Sequence, residues 1–499
     1  MTEIPIRFGS PELFGRVRKF FLDRGFTDEE VTRRLKQSKD ALEPDEPPNV
    51  VRPDATAADL LVGLFLKFSS APATLCESLL GGEALKDLAD LGLIRPEGDQ
   101  LRATVRIRPI SSLFVLSDTW DPNPGGARVI DDVVYPPDIT NTLTYLSYIP
   151  LSPCKRFLEV CGGSGIAGLI AADCFASRAY SYDISERSTQ FARFSAMLNG
   201  LENFEAATGD VYAPANGLTF DRIAAHPPYV PVLKHTWVFH AGGNDGEQIS
   251  RKCVEDLPRH LAPGGRFYCR CLGSDREIAY EQRVRQWLGG RQDEFDIAVV
   301  VLRIVEPAQL FSSGVLQGTA GPRDYDAWRR LFETLKISRF LQVVIVIQRR
   351  TEPRPVYTVR REHGSRSGPR ELGWLLDWET ALAKGAEERI LNSTLMPGDV
   401  QLILNNVIRD SDWSLSGQRL LVDYPYHSNW EVDALAAYLL PRLDGGLTGA
   451  ALREKMIGEG AISSDFPPAD FARALGGMVS MGYIRMDGEF QLPAPRQQA

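Results

Sequence analysis

Apolar residues recur at helical spacing near the start of the chain, at Phe14, Val17, Phe20 and Phe21. Thr27-Asp28-Glu29-Glu30 has the form of a capping box that opens a second helix. An acidic, proline-rich break at 43–53 precedes an apolar helix at 57–68 and a further helix at 83–91, closed by Gly92. Leu93-Ile94-Arg95 reads as a strand, which Glu97-Gly98-Asp99 turns back into a second strand at 100–107. Helices followed by a β-hairpin is the order of a winged helix. Ala84-Leu85, Leu88, Gly92, Ile94-Arg95 and Gly98 return at identical spacing as Ala474-Leu475, Met478, Gly482, Ile484-Arg485 and Gly488, behind expected helices at 431–440 and 448–457. Two copies are too few for a solenoid. The pattern therefore predicts a winged-helix-like module at each end, over 1–115 and 431–499.

Between about 116 and 350 the pattern changes to alternating strands and helices. Apolar strands are expected at 157–160, 179–182, 220–225 and 266–271, with helices at 166–174 and 188–199. Such alternation predicts an α/β fold, a Rossmann-like parallel sheet with helices on both faces. Two later strands, 296–305 and 341–347, flank a helix at 325–335 and suit an antiparallel edge. Residues 351–430 form a connecting region in which Trp374, Leu375, Trp378 and Leu382 predict one amphipathic helix.

Composition narrows the class. A chain of 499 residues suits roughly two to four domains, and 43% hydrophobic with 24% charged residues describes a folded protein. The longest apolar run, 60–66, is too short to cross a membrane, and no signal-peptide pattern opens the chain; the cytoplasm is the default expectation. Seven cysteines, none in a Cys-x-x-Cys pair, read as buried thiols and not as a disulfide framework. A net charge of −9 disfavours nucleic acid as the main partner. The arginine-rich stretch 349–370 is the local exception, read as a solvated basic loop with phosphate contact as its alternative.

Candidate chemistry lies at strand ends. Leu158-Glu159-Val160-Cys161-Gly162-Gly163-Ser164-Gly165 leaves a strand and enters a helix, where glycines allow close approach of a ligand to backbone N–H groups. Asp183 ends the next strand, where a carboxylate can accept both hydroxyls of a ribose. Gly209-Asp210-Val211 closes a third strand, where an acid and an N–H can hold an adenine edge, and His226-Pro227-Pro228-Tyr229 ends a fourth. His235 and His240 follow, but their spacing with His226 matches no zinc pattern, and no metal is expected. The Gly242-Gly243-Asn244-Asp245-Gly246 stretch reads as a lid or a tight turn.

Over roughly residues 130–305 this series resembles the class I S-adenosylmethionine methyltransferases. Within them it is most similar to the group of release-factor glutamine N5-methyltransferases and guanine- and adenine-N-methyltransferases. The shared stretches are 159–165, Asp183-Ile184-Ser185, Ala196-Met197-Leu198-Asn199-Gly200, Gly209-Asp210, Pro227-Pro228-Tyr229-Val230-Pro231 and Leu261-Ala262-Pro263-Gly264-Gly265. The resemblance implies S-adenosylmethionine as cofactor, held by Glu159, Cys161, Gly163, Gly165, Asp183, Ile184, Asp210 and Val211. It implies catalysis at His226 and Tyr229, with Pro227, Pro228, Thr140 and His235 towards the substrate. Two positions depart from the family: Cys161 stands at its first glycine, and His226 at the usual Asn or Asp of Asn-Pro-Pro-Tyr. A neutral imidazole accepts only one hydrogen bond but can serve as a general base.

Three functions follow as expectations. The first is N-methylation of a planar amide or amine on a protein, peptide or nucleic acid, the acceptor itself being unnamed by the sequence. The second is small-molecule O-methylation with His226 as base, since enzymes of that kind also carry winged-helix dimerisation modules, which allows a homodimer. The third is a non-catalytic nucleic-acid-binding protein on a methyltransferase fold.

Overall fold

A computed structural model describes residues 3–40, 55–119, 131–233, 239–316, 321–432, 434–488 and 490–494. The chain divides into two compact units, Met1–Gly273 with Pro307–Ser338, and Ser274–Glu306 with Arg339–Ala499.

The first unit is built on a parallel sheet. Helix α1 (Thr140–Ser147) leads to strand β1 (Cys154–Val160), helix α2 (Ile166–Cys174) and strand β2 (Ala176–Asp183). Helix α3 (Glu186–Asn199), β3 (Phe204–Thr208), β4 (Phe220–Ala225), α4 (Gln248–Glu255) and β5 (Leu261–Asp275) follow. The order is β5-β4-β1-β2-β3, every neighbour parallel. The first strand lies in the middle and the direction of winding reverses between β1 and β4. That is the doubly wound, Rossmann-like arrangement, with its switch point at the carboxyl ends of those two strands. Small alanines are fully buried at Ala179 in β2 and at Ala224 and Ala225 at the end of β4. The register breaks between Leu261 and Arg266, so the Pro263-Gly264-Gly265 stretch bulges before the ladder resumes.

The amino-terminal helices share a core with this sheet. Phe14, Phe21, Phe26, Phe65 and Phe114 are buried with Phe191, Phe194 and Leu198 of α3. Phe14 meets Phe194 edge-on at 4.9 Å between centroids. Burying each such ring stabilises by about 2–3 kcal/mol. The helices Ala57–Leu66, Ala73–Leu80 and Gly82–Asp90 surround a three-stranded antiparallel sheet, Ala71–Pro72, Gln100–Ala103 and Ile94–Glu97. Asn199 ties α3 to the next hairpin, accepting from the Phe114 N–H at 2.9 Å and donating to its carbonyl at 2.8 Å. Arg187 and Asp118, both buried, pair through Nε at 2.8 Å.

The second unit holds β6 (Phe295–Val305), β7 (Arg339–Arg349), β8 (Thr358–His363), β9 (Gln401–Arg409), β10 (Asp412–Val422) and β11 (Tyr426–Glu431). Their order is β9-β10-β11-β8-β6-β7. β6 and β7 are antiparallel, as their pattern suggested, but β6 is no edge: β8 runs parallel along its other side. Residues 351–430, where one helix was expected, thus also hold β8, the short strand Leu395–Pro397, β9, β10 and most of β11. The helix is there, α5 (Pro369–Ala383), with Trp374 and Trp378 stacked and buried. Trp378 Nε1 donates to the Gly476 carbonyl of α6 (Pro468–Ser480) at 3.2 Å. The carboxyl-terminal echo departs from a self-contained winged helix. Ile484–Met486 pairs antiparallel with Leu395–Pro397, a strand about ninety residues earlier and outside the expected module. The arginine run is also not a solvated loop. Arg349 pairs with Glu294 at 2.9 Å, Arg360 with Asp275 at 2.8 Å and Arg361 with Glu379 at 2.8 Å, and Arg354 binds Asp296. Carboxylates distant in sequence absorb these charges, which a local charge count does not reveal.

Candidate active site

The carboxyl ends of β1, β2, β3 and β4 bring the motif residues to one edge of the first unit. After β1 the chain turns through three left-handed residues, Cys161 at φ +55°, Gly163 at +54° and Gly165 at +74°. Cys161 adopts the conformation of the glycine it replaces, which costs a side-chain-bearing residue about 1 kcal/mol or more. Its thiol lies against Cys253 of α4, and that contact, with burial, pushes it well above the usual thiol range.

Glu159 faces inward. It is 2% exposed and accepts from the Ala167 N–H at 3.2 Å, the Gly168 N–H at 2.9 Å and the Ser181 hydroxyl at 3.3 Å. Its work is to satisfy the free N–H groups opening α2 and to hold the turn against β2. Burial pushes its carboxyl up to about 7. A carboxyl raised in this way binds its proton more tightly in the folded chain. The stability it contributes is full below about 4.5 and is lost as pH climbs to about 7, on the order of 3 kcal/mol. The unfolding free energy of wild type relative to Glu159→Gln should therefore fall across that window in denaturant titrations. A difference independent of pH would contradict the assignment.

Asp183 closes β2 and supports the turn from the other side. One oxygen accepts from the Gly163 N–H at 2.8 Å, the other from the Ser185 N–H at 2.9 Å. Each oxygen keeps a second lone pair, and the Ser188 hydroxyl, which is free to rotate, also bonds this carboxylate. Burial raises its carboxyl above the ordinary value. Ile184, next in the chain, is 56% exposed and offers an apolar surface beside that carboxylate. Gly209, Asp210 and Val211 lie just past β3, with Val211 also left-handed at φ +50°. Asp210 is half-exposed and bonded to Lys252 of α4, a pairing between exposed groups that is worth little and is readily exchanged.

Beyond β4, aromatic rings gather around His226. Its ring lies near-parallel to Tyr145 at 5.2 Å and to Tyr229 at 5.7 Å. Its Nε2 is buried and has no hydrogen-bond partner among the described residues. Burial, and then the positive charge of Arg270, lower the imidazole to about 3. Arg270 of β5 sits 5.4 Å over the Tyr229 ring and donates to Asn141 Oδ1 at 3.1 Å. The Tyr145 hydroxyl is buried, and burial first, then the nearby Glu159 carboxyl, raise it well above the usual phenol range. Pro227 is buried and Pro228 partly so. Thr140 is exposed at the start of α1, whose preceding Asp138 is bound by Arg106 at 2.7 Å. His235 lies outside the described residues. Among the described residues no group of three histidines, cysteines or carboxylates could hold a metal ion. The glycine stretch at 242–246 is a tight turn folded back on the motif: Gly242 donates to the Val230 carbonyl at 2.8 Å and Val232 to Gly243 at 3.0 Å. Tyr145, Asn141, Lys252 and Arg270 escaped the sequence reading, because none belongs to a motif and only folding brings them to this edge.

Residues 140–292 match the family model described as methyltransferase small domain. The ribosomal protein uL3 glutamine methyltransferase of Bradyrhizobium diazoefficiens is 28% identical over 158 residues, 29% of this chain and 49% of that protein. The release factor glutamine methyltransferase of Moorella thermoacetica is 29% identical over 172 residues, 32% of this chain and 60% of that protein. The chain thus spans about half to three-fifths of the length of these relatives. Among solved structures, a ribosomal protein L11 methylase from Lactobacillus delbrueckii subsp. bulgaricus overlaps 42% of this chain and 77% of its own, at 18% identity and a TM-score of 0.25. An rRNA methylase from Streptococcus thermophilus overlaps 42% of this chain and 93% of its own, at 10% identity and a TM-score of 0.23. Among the described residues no helix is long and apolar enough to cross a membrane.

Proposed function

We propose that this chain, whose residues 140–292 resemble the class I S-adenosylmethionine-dependent methyltransferases that modify glutamine, N-methylates a planar side-chain amide on a protein. The observation that carries the acceptor class is the buried Nε2 of His226, without a partner among the described residues, beside two tyrosine rings.

The residues present suit the cofactor. Asp183 can accept from the two ribose hydroxyls once the Ser188 hydroxyl turns away, Ile184 offers an apolar face for adenine, and Asp210 with the Val211 N–H suits the adenine edge. Cys161, Gly163 and Gly165 keep the turn close to the strand ends, and Glu159 holds that turn from behind. Bound S-adenosylmethionine supplies an electrophilic methyl group. His226 Nε2, neutral at every ordinary pH, accepts one N–H of the amide and so orients its nitrogen. Tyr145 and Tyr229 flank a planar group and keep water from it. With its imidazole near 3, His226 is too weak a base to take a hydroxyl proton, which disfavours the O-methylation reading. An amide nitrogen becomes strongly acidic once the methyl group has moved from sulfur to it, so its proton passes to water as the thioether product leaves. The net charge of −9 and the internally paired arginines speak against nucleic acid as the acceptor.

Calorimetric titration of the full chain with S-adenosylhomocysteine tests the foundation. Saturable one-to-one binding is expected; heats no larger than dilution would overturn the proposal.

A further inference from the structure

β9 is the outermost strand of the second unit's sheet and, among the described residues, pairs only with β10. The register sets Leu402 opposite Leu420, Leu404 opposite Gln418, Asn406 opposite Leu415 and Ile408 opposite Trp413. Directly opposed residues point to the same side, as do alternate residues of one strand. The register shift after Asn405 keeps Leu415 and Trp413 on the side of Leu402 and Leu404. Five large apolar side chains thus share one face: Leu402, Leu404, Ile408, Trp413 and Leu415. Each is more than half exposed, Ile408 and Trp413 at 68%. Together they present roughly 500 Å² of apolar surface, at the upper end of what single chains leave in water. The other side of the hairpin carries Arg409, Asp412, Ser414 and Arg419 beside Ile403 and Val407, which are less exposed than the five, Val407 at 38%.

We propose that this face docks against the same face of a second copy of the chain, the two hairpins stacking about a two-fold axis. The apolar side holds no charged residue, its polar members being Asn406 and Gln418, so self-apposition brings no like charges together. Elsewhere a chain of net charge −9 repels its own copy, which makes an uncharged face the favoured contact. A pleated surface is matched by another pleated surface about 10 Å away. Two such faces bury about 1,000 Å², the size at which specific interfaces begin to hold. An isologous contact of this kind uses the same residues on both chains.

Analytical ultracentrifugation of the full chain tests this. The expected result is a species of two-chain mass at micromolar concentration. Ile408→Asp and Trp413→Asp should each weaken association by about 100-fold or more, because each places two charges in one apolar contact. Both residues are exposed in the single chain, so neither change should alter its circular dichroism. Ser414→Asp, on the opposite face, should leave the two-chain species intact. A wild-type chain that sediments singly, a dimer that survives both apolar-face changes, or one lost equally to Ser414→Asp would overturn the proposal.

Discussion

Asp183→Ala is expected to weaken S-adenosylhomocysteine binding by at least about 100-fold. Two hydrogen bonds from ribose hydroxyls to a carboxylate are worth roughly 1.5–3 kcal/mol each, and each 1.4 kcal/mol is a factor of ten. The same side chain accepts from Gly163 and Ser185, so alanine also frees the turn that shapes the site. Asp183→Asn separates the two effects. It keeps the shape and one acceptor oxygen, but its NH2 then faces one of the two backbone N–H donors, so it should recover only part of the thermal stability and not the full affinity. Calorimetric titration of both variants, with melting curves alongside, checks this. Wild-type affinity in Asp183→Ala would remove Asp183 from the cofactor site and with it the centre of the functional reading.

His226→Ala should lower kcat/KM by about 10- to 100-fold on an amide acceptor, the loss expected for one orienting hydrogen bond in a dry site. His226→Asn should retain activity or raise it, because the amide oxygen accepts the same N–H and is the residue that the resembling methyltransferases carry. The pH profile carries the sharper test. A histidine acting as base would leave a limb near its ordinary value of 6.5, whereas burial and Arg270 hold this one near 3. The wild-type profile should therefore be flat through pH 6–7, as in His226→Asn. The sign for stability follows from the same shift. The folded chain favours the neutral imidazole, so that contribution is full above about 6.5 and is lost as pH falls towards 3. A wild-type limb near 6.5 that His226→Asn removes would restore the general-base mechanism. Equal kinetics in all three proteins would leave His226 with a structural role only.

The sequence by itself determined the parts whose physics is local. Alternating apolar strands and helices, with a glycine-rich turn after β1 and an acid after β2, need only neighbouring residues to be recognised. The motif order is also local information, and it sets 159–165, 183 and 210, the edge proposed for the cofactor, at successive strand ends. What a side chain does there is decided by distant partners. Glu159 looks like a ligand-facing acid in sequence, yet α2 and Ser181 take both its oxygens. His226 looks like a base near neutrality, yet Tyr145, Tyr229 and Arg270 dry its surroundings and charge them. The arginines at 349–370 look like a solvated basic loop in sequence, but their countercharges come from Asp275, Glu294, Asp296 and Glu379. Strand pairing is likewise non-local: Ile484–Met486 found Leu395–Pro397 and not a neighbouring strand. Periodicity reports which face a residue turns inward, because that depends on backbone geometry alone. Charge state and pairing depend on burial and on whatever the fold brings within a few ångströms, and those only the tertiary structure decides.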